Sequence, residues 1–158
     1  MPVLTRRAAL SLTLAALAAC GRGSHASANG PIDKAQLHPG ETRAVRNLIN
    51  IYADRYEVPR PLVHRVIQRE SRYVAEARNG PYYGLMQILP QTAGTMGFRG
   101  KPADLLDAET NLKYGVKYLR GAWLCADGSY DRAVMWYAKG YYYEAKRRGI
   151  LRETGLKG

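Results

Sequence analysis

Glu70 is the side chain whose type and position most need a chemical reason. It sits at the end of the run Pro61-Leu62-Val63-His64-Arg65-Val66-Ile67-Gln68-Arg69-Glu70-Ser71, which reads as a helix opened by proline at a position where proline is tolerated. On helical spacing Val63, Val66 and Ile67 form one apolar stripe, and Glu70 falls on that stripe. A carboxylate on a buried helix face costs free energy unless it has a partner or a task. Burial disfavours its charged form and the negative end of the helix dipole pushes the same way, so a raised pKa is expected. Such an acid can donate a proton near neutral pH. No convincing second carboxylate accompanies it. Glu76 lies in irregular chain after the helix, Asp54 and Glu57 lie near the end of the helix before it, and Asp104 and Asp107 read as turn and cap residues. Each is expected to be solvated. Of the three histidines, His25 and His38 fall in a polar leading segment and His64 on the helix. That spacing offers no metal site, and neither metal nor cofactor is expected.

The elements that must position Glu70 are mostly helical. Val45, Leu48, Ile49 and Tyr52 keep helical spacing between about Thr42 and Tyr56. The turn Val58-Pro59-Arg60-Pro61 separates that helix from the one carrying Glu70, which is expected to run to about Tyr73. From Ala75 to Gly84 there is no periodicity, and Asn79-Gly80-Pro81 signals a turn with room for a short hairpin. Pro90 opens a brief helix that Gly97 should cap. Asp107 caps a longer one with Leu112, Val116, Leu119 and Trp123 on its core face. After the turn at Asp127-Gly128, Ser129 or Asp131 caps the helix of Val134 and Tyr137, and a last short helix covers Tyr142 to Arg148. The expected fold class is mainly α: a single small helical domain, residues 41–158, with at most one short hairpin and room for one core.

Glu70-Ser71 is followed by Gly84-Leu85-Met86-Gln87, by Pro90, Thr92 and Ala93, by Asn111, Gly115, Tyr118 and Leu119, and by Tyr137 with Gly140. In this order and at these separations the chain resembles the soluble-type (SLT) lytic transglycosylases of the lysozyme-like superfamily, over nearly all of residues 41–145. The resemblance implies an α+β lysozyme-like domain. It also implies cleavage of the β-1,4 bond between N-acetylmuramic acid and N-acetylglucosamine in peptidoglycan. Glu70 would first protonate the glycosidic oxygen and then act as base on the muramic C6 hydroxyl, leaving a 1,6-anhydro sugar. Most glycosidases place two carboxylates about the bond; here an internal nucleophile of the substrate would replace the second by proximity. Two rivals share the fold or the partner: a muramidase that uses water, and a lipoprotein that binds peptidoglycan without cutting it.

The same resemblance suggests roles for other residues, each beside a plainer one. Gln87 projects its amide into the cleft, or completes a turn. Met86 lines the wall, or packs in the core. Gly84 lets backbone approach a sugar, or is a turn glycine. Tyr137 bonds to Glu70 or to an N-acetyl carbonyl, or is core. Ser71 holds substrate or finishes the helix. Tyr82 and Tyr83, among twelve tyrosines, offer flat faces for sugar rings. One block departs from the family: Trp136-Tyr137-Ala138-Lys139-Gly140 carries Ala138 where asparagine is usual, which puts substrate contacts there in question.

The first residues read as an address. Arg6 and Arg7 precede the apolar run Ala8 to Ala19, too short to span a bilayer but suited to a signal peptide, residues 1–19. Thr5-Arg6-Arg7 with Leu10 resembles a twin-arginine export signal that lacks its usual aromatic residue. Leu17-Ala18-Ala19-Cys20 resembles the lipobox of bacterial lipoproteins. This implies acylation of Cys20, a membrane anchor, and, with Gly21 next, the periplasmic side of the outer membrane. An ordinary signal peptide ending near a cysteine is the alternative. If Cys20 carries lipid, Cys125 is left alone as a small core hydrophobe and no disulfide forms. Residues 20–40 read as a flexible tether. The formal charge of +11 suits an anionic polymer or surface. Lys139, Lys146, Arg147 and Arg148, interleaved with Tyr141-Tyr142-Tyr143, could serve nucleic acid or form a solvated basic face meeting acidic peptide stems. The expected partners are glycan strands and a membrane, not nucleic acid, with the protein a monomer.

Overall fold

A computed structural model describes residues 36–156. Among these, six α-helices and one two-stranded hairpin make up the regular structure: α1 (Arg43–Arg55), α2 (Arg60–Glu70), β1 (Arg78–Asn79), β2 (Tyr82–Tyr83), α3 (Pro90–Thr95), α4 (Ala108–Leu124), α5 (Tyr130–Lys139) and α6 (Tyr142–Arg148). A 3-10 turn, Pro102–Leu106, leads into α4. This is the small, mainly helical domain with one hairpin that the residue pattern predicts. The lipobox and Cys20 lie outside the described residues, as does most of the expected tether. No helix among the described residues is long and apolar enough to cross a membrane.

The caps are as expected from side-chain chemistry. Thr42 accepts from the Val45 N–H, Asp107 from Thr110 and Ser129 from Arg132, each satisfying a first-turn donor. Of the two residues considered for the α5 cap, Ser129 fills the place. Helix α4 is the central strut, with α1 and α5 packed along it. Leu112, Val116, Leu119 and Ala122 on its buried face meet Ile49, Val63, Val66, Ile67 and Ala133 in one core. Cys125 caps α4 as a buried free thiol whose pKa burial raises, in keeping with a small core hydrophobe.

Two departures affect the site. Helix α2 ends at Glu70 rather than near Tyr73, because Arg72 and Tyr73 take left-handed φ values of 51° and 67°. That conformation stops a helix, and here it leaves Glu70 on the terminal residue. The second concerns the histidines. His38 does not trail away: its ring stacks on Tyr73, 5.6 Å between centroids, and lies 4.9 Å from His64. With Glu41 these two histidines bring donor atoms within 4.8 Å of one another, a proximity that sequence spacing does not show. The Glu41 carboxylate is already engaged by the Arg46 guanidinium and the His38 N–H. Burial pushes Glu41 up, but these bonds and the neighbouring His64 outweigh it and hold the pKa low. A fixed cation at that carboxylate makes the cluster an ion-pair clasp rather than a metal cradle.

Candidate active site

Glu70 opens into a groove at the C-terminal end of α2. Three cavities of about 350, 230 and 390 Å³ adjoin through shared lining residues. The middle one is bounded by Glu70, Asn79, Tyr82, Gln87, Tyr137 and Ala138, together with Arg69. The Glu70 side chain is 24 % exposed, its Oε1 lies 3.6 Å from the Arg69 Nε, and it makes no hydrogen bond among the described residues. Burial raises its pKa, opposed by the Arg69 charge. Among the described residues no second carboxylate lines these three cavities. Asp54 pairs with Arg60, Glu57 pairs with Arg120, and Asp104 and Asp107 cap backbone N–H groups, while Glu76 is exposed.

Gln87, which lines all three cavities, ends a turn, Gly84 to Gln87, that is pinned from several directions. Asn111 is fully buried on α4. Its Nδ2 donates to the carbonyls of Tyr83 and Leu105, both at 2.8 Å, and its Oδ1 accepts from the Met86 N–H at 2.9 Å. Ser71 donates its hydroxyl to the Leu85 carbonyl at 2.7 Å, joining the end of α2 to the same turn. Tyr137 donates to the Met86 carbonyl at 2.8 Å. Burial, then the nearby Glu70 charge, keeps the proton on that phenol. Gln87 holds a left-handed φ of 46°, and its Nε2 donates to the carbonyls of Ala77 and Gly84. Among the described residues no hydrogen bond reaches its Oε1 and no buried side-chain oxygen is left unpaired, so that oxygen is an open acceptor on a side chain that lines the same cavity as Glu70.

Several sequence expectations are corrected by this geometry. Met86 does not line the wall: its side chain is buried against α4, where a Cβ at Gly115 would lie 2.6 Å from its Sδ. Gly84 has a reason inside the protein to be glycine. At φ +72° its missing Cβ leaves room for Asn111 Nδ2, which would stand 2.2 Å away. Tyr83 is buried under the Arg78 guanidinium, while its neighbour Tyr82, 42 % exposed, faces the groove; alternation along a strand permits only one of the pair to do so. Tyr137 borders the groove, but its hydroxyl proton goes to the Met86 carbonyl rather than to Glu70. Ser71 borders the outer cavity with its proton likewise committed. The structure thus brings together Glu70, Gln87, Tyr82 and Tyr137. It adds Asn79 and Arg69, which sequence reasoning passed over; Arg69 had one signal, its place beside Glu70.

The spaced motifs thus meet at one groove: an acid, and a turn tied down by asparagine, serine and tyrosine. Residues 47–150 match the transglycosylase SLT domain. The chain belongs to that family. Membership implies a lytic transglycosylase with peptidoglycan as its substrate. No solved structure matches the chain at a significant level. Within the SLT domain the motif residues divide by task. Gly84, Met86, Asn111 and Gly115 shape the turn, and Glu70, Gln87 and Tyr137 border the groove.

Proposed function

We propose that the protein cuts the β-1,4 bond between N-acetylmuramic acid and N-acetylglucosamine and closes the muramic acid into its 1,6-anhydro form. Protonated Glu70 gives its proton to the glycosidic oxygen as the anomeric C–O bond breaks, and N-acetylglucosamine leaves. The resulting carboxylate takes the proton of the muramic C6 hydroxyl, whose oxygen bonds to the anomeric carbon. Glu70 ends protonated, and no water is consumed. The observation that carries this reading is that Glu70 is the one carboxylate lining the groove among the described residues. A mechanism with two carboxylates has no second member here, and the C6 hydroxyl held on the same sugar supplies proximity in its place. The exposed Gln87 Oε1 is positioned to accept from a substrate amide or hydroxyl, and Tyr82 offers a face to a sugar ring. Mass spectrometry of the muropeptides released from purified sacculi tests the reading. Anhydro ends are expected; reducing ends would make the protein a muramidase, and no release at all would leave it a binder.

The same proposal places the protein outside the cytoplasm, a monomer held to the outer membrane by acylated Cys20 and acting on glycan strands rather than nucleic acid. Its support is the Leu17-Ala18-Ala19-Cys20 run and the basic charge. Cys20→Ala should move the protein from the membrane fraction to the soluble fraction; retention on the membrane would refute the anchor.

A further inference from the structure

Beside the groove lies another recess, of about 300 Å³, bordered by Arg65, Arg69, Asp131, Met135, Ala138 and Lys139. Two helix faces form it. Arg65 and Arg69 stand one turn apart on α2, and Asp131, Met135 and Lys139 follow at successive turns of α5. The remote end is neutralised by the ion pair of Arg65 with Asp131. The near end is not. Arg69 leans toward Glu70, and Lys139 makes no ion pair among the described residues. Ala138 and Arg69 border both this recess and the cavity holding Glu70. The small methyl at 138 leaves the two spaces adjoining.

We infer that this recess receives the acidic peptide stem carried by the muramic acid, an inference that rests on the transglycosylase reading. Neutral sugar hydroxyls give no reason for Arg69 and Lys139 to stand together at the near end of one recess with no carboxylate of the recess paired to either, whereas a substrate carboxylate does. The position fits as well. In peptidoglycan the peptide branches from the sugar whose anomeric bond is cut, so a stem pocket must open close beside the acid. This one adjoins it at Ala138, where the family usually carries asparagine. The residue there determines whether the branch point has room, and Lys139 supplies the charge that meets it.

The test compares kcat/KM on peptide-bearing glycan strands with kcat/KM on strands stripped of peptide by an amidase. The enzymes are the wild type, Lys139→Glu, and Lys113→Glu as a control of equal charge change at an exposed position of α4 outside the recess. The wild type should prefer the peptide-bearing strands. Lys139→Glu should lower that preference about tenfold, chiefly through KM, and Lys113→Glu should leave it in place. An equal fall with both variants would reduce the effect to overall charge and overturn the recess, as would an unchanged preference in Lys139→Glu. Turnover of stripped strands without any preference would sink the stem pocket while leaving the transglycosylase reading standing. A wild type that cuts neither substrate would remove both.

Discussion

The two sides of the groove are built on opposite terms. Along the turn from Gly84 to Gln87, nearly every polar atom is spent inside the protein. Asn111 makes three hydrogen bonds, Ser71 and Tyr137 each donate to the turn's carbonyls, and Gln87 gives its amide protons to Ala77 and Gly84. Along the end of α2 and the last turn of α5, the charged groups near the substrate space are held loosely among the described residues: Glu70 has no hydrogen bond and pairs only with Arg69, at 3.6 Å, and Lys139 has no ion pair. The residues that make the family recognisable are thus mostly on the side that is held still. The chemistry is on the side left free. A rigid turn beside an acid free of hydrogen bonds among the described residues is a sound division for catalysis, because positioning and reactivity then depend on different side chains.

The comparison is most severely tested by Glu70→Gln. Turnover should fall by about 10³-fold, in the range for loss of a general acid, with sacculus binding retained in a pull-down assay. A variant that still releases muropeptides would move the chemistry off the free side. On the held side, Asn111→Ala strips three hydrogen bonds from buried backbone groups and should cost about 4 kcal/mol in chemical denaturation. A loss under about 1 kcal/mol would mean that the turn keeps its shape without that pin.

A polar cluster away from the groove sharpens the contrast. Burial lowers the His64 pKa to about 4, with Glu41 opposing, from an ordinary 6.5. The unfolded chain therefore takes up a proton below pH 6.5 that the folded chain refuses until about pH 4. Stability is whole above that window and declines as pH falls through it, by on the order of 2 kcal/mol. Urea midpoints at pH 7 and pH 4.5 should show the decline, and His64→Gln should flatten it. Tyr137→Phe is smaller: about 1 kcal/mol of stability, with kcat reduced less than about tenfold. A collapse of kcat comparable to that of Glu70→Gln would put the phenol among the reacting groups. The subtlest change is Arg69→Gln. Cleavage needs Glu70 protonated, so activity falls as pH rises through its pKa. Arg69 lowers that pKa, and its removal should carry the alkaline limb of kcat/KM to higher pH. An unmoved limb would show that the two charges do not communicate.

Much of this arrangement is legible in the sequence where it depends on local periodicity or capping. The faces of α1, α4 and α5, the Asp107 cap and the span of α6 follow from near neighbours. So does Glu70, since a charge on an apolar stripe is conspicuous. What escapes depends on contacts that no local pattern carries. Met86 and Gly84 turn inward because of Asn111, which bonds to backbone 25 and 28 residues away. The early end of α2 comes from two left-handed residues with no glycine to announce them. The meeting of His38 with His64 is likewise a product of packing. The hairpin was foreseeable at Asn79-Gly80-Pro81, yet which of its two tyrosines faces outward depends on register.

The reversal after Glu70 has a mechanical consequence. Past the acid the chain bends back, and the Tyr73 hydroxyl meets His64 Nδ1 at 2.9 Å, fastening the returning turn to the helix it has just left. The carboxylate therefore sits at the crook of a hook whose shank and barb are tied together. Slackening that tie, well outside the substrate's reach, would spoil the enzyme's aim rather than its strength.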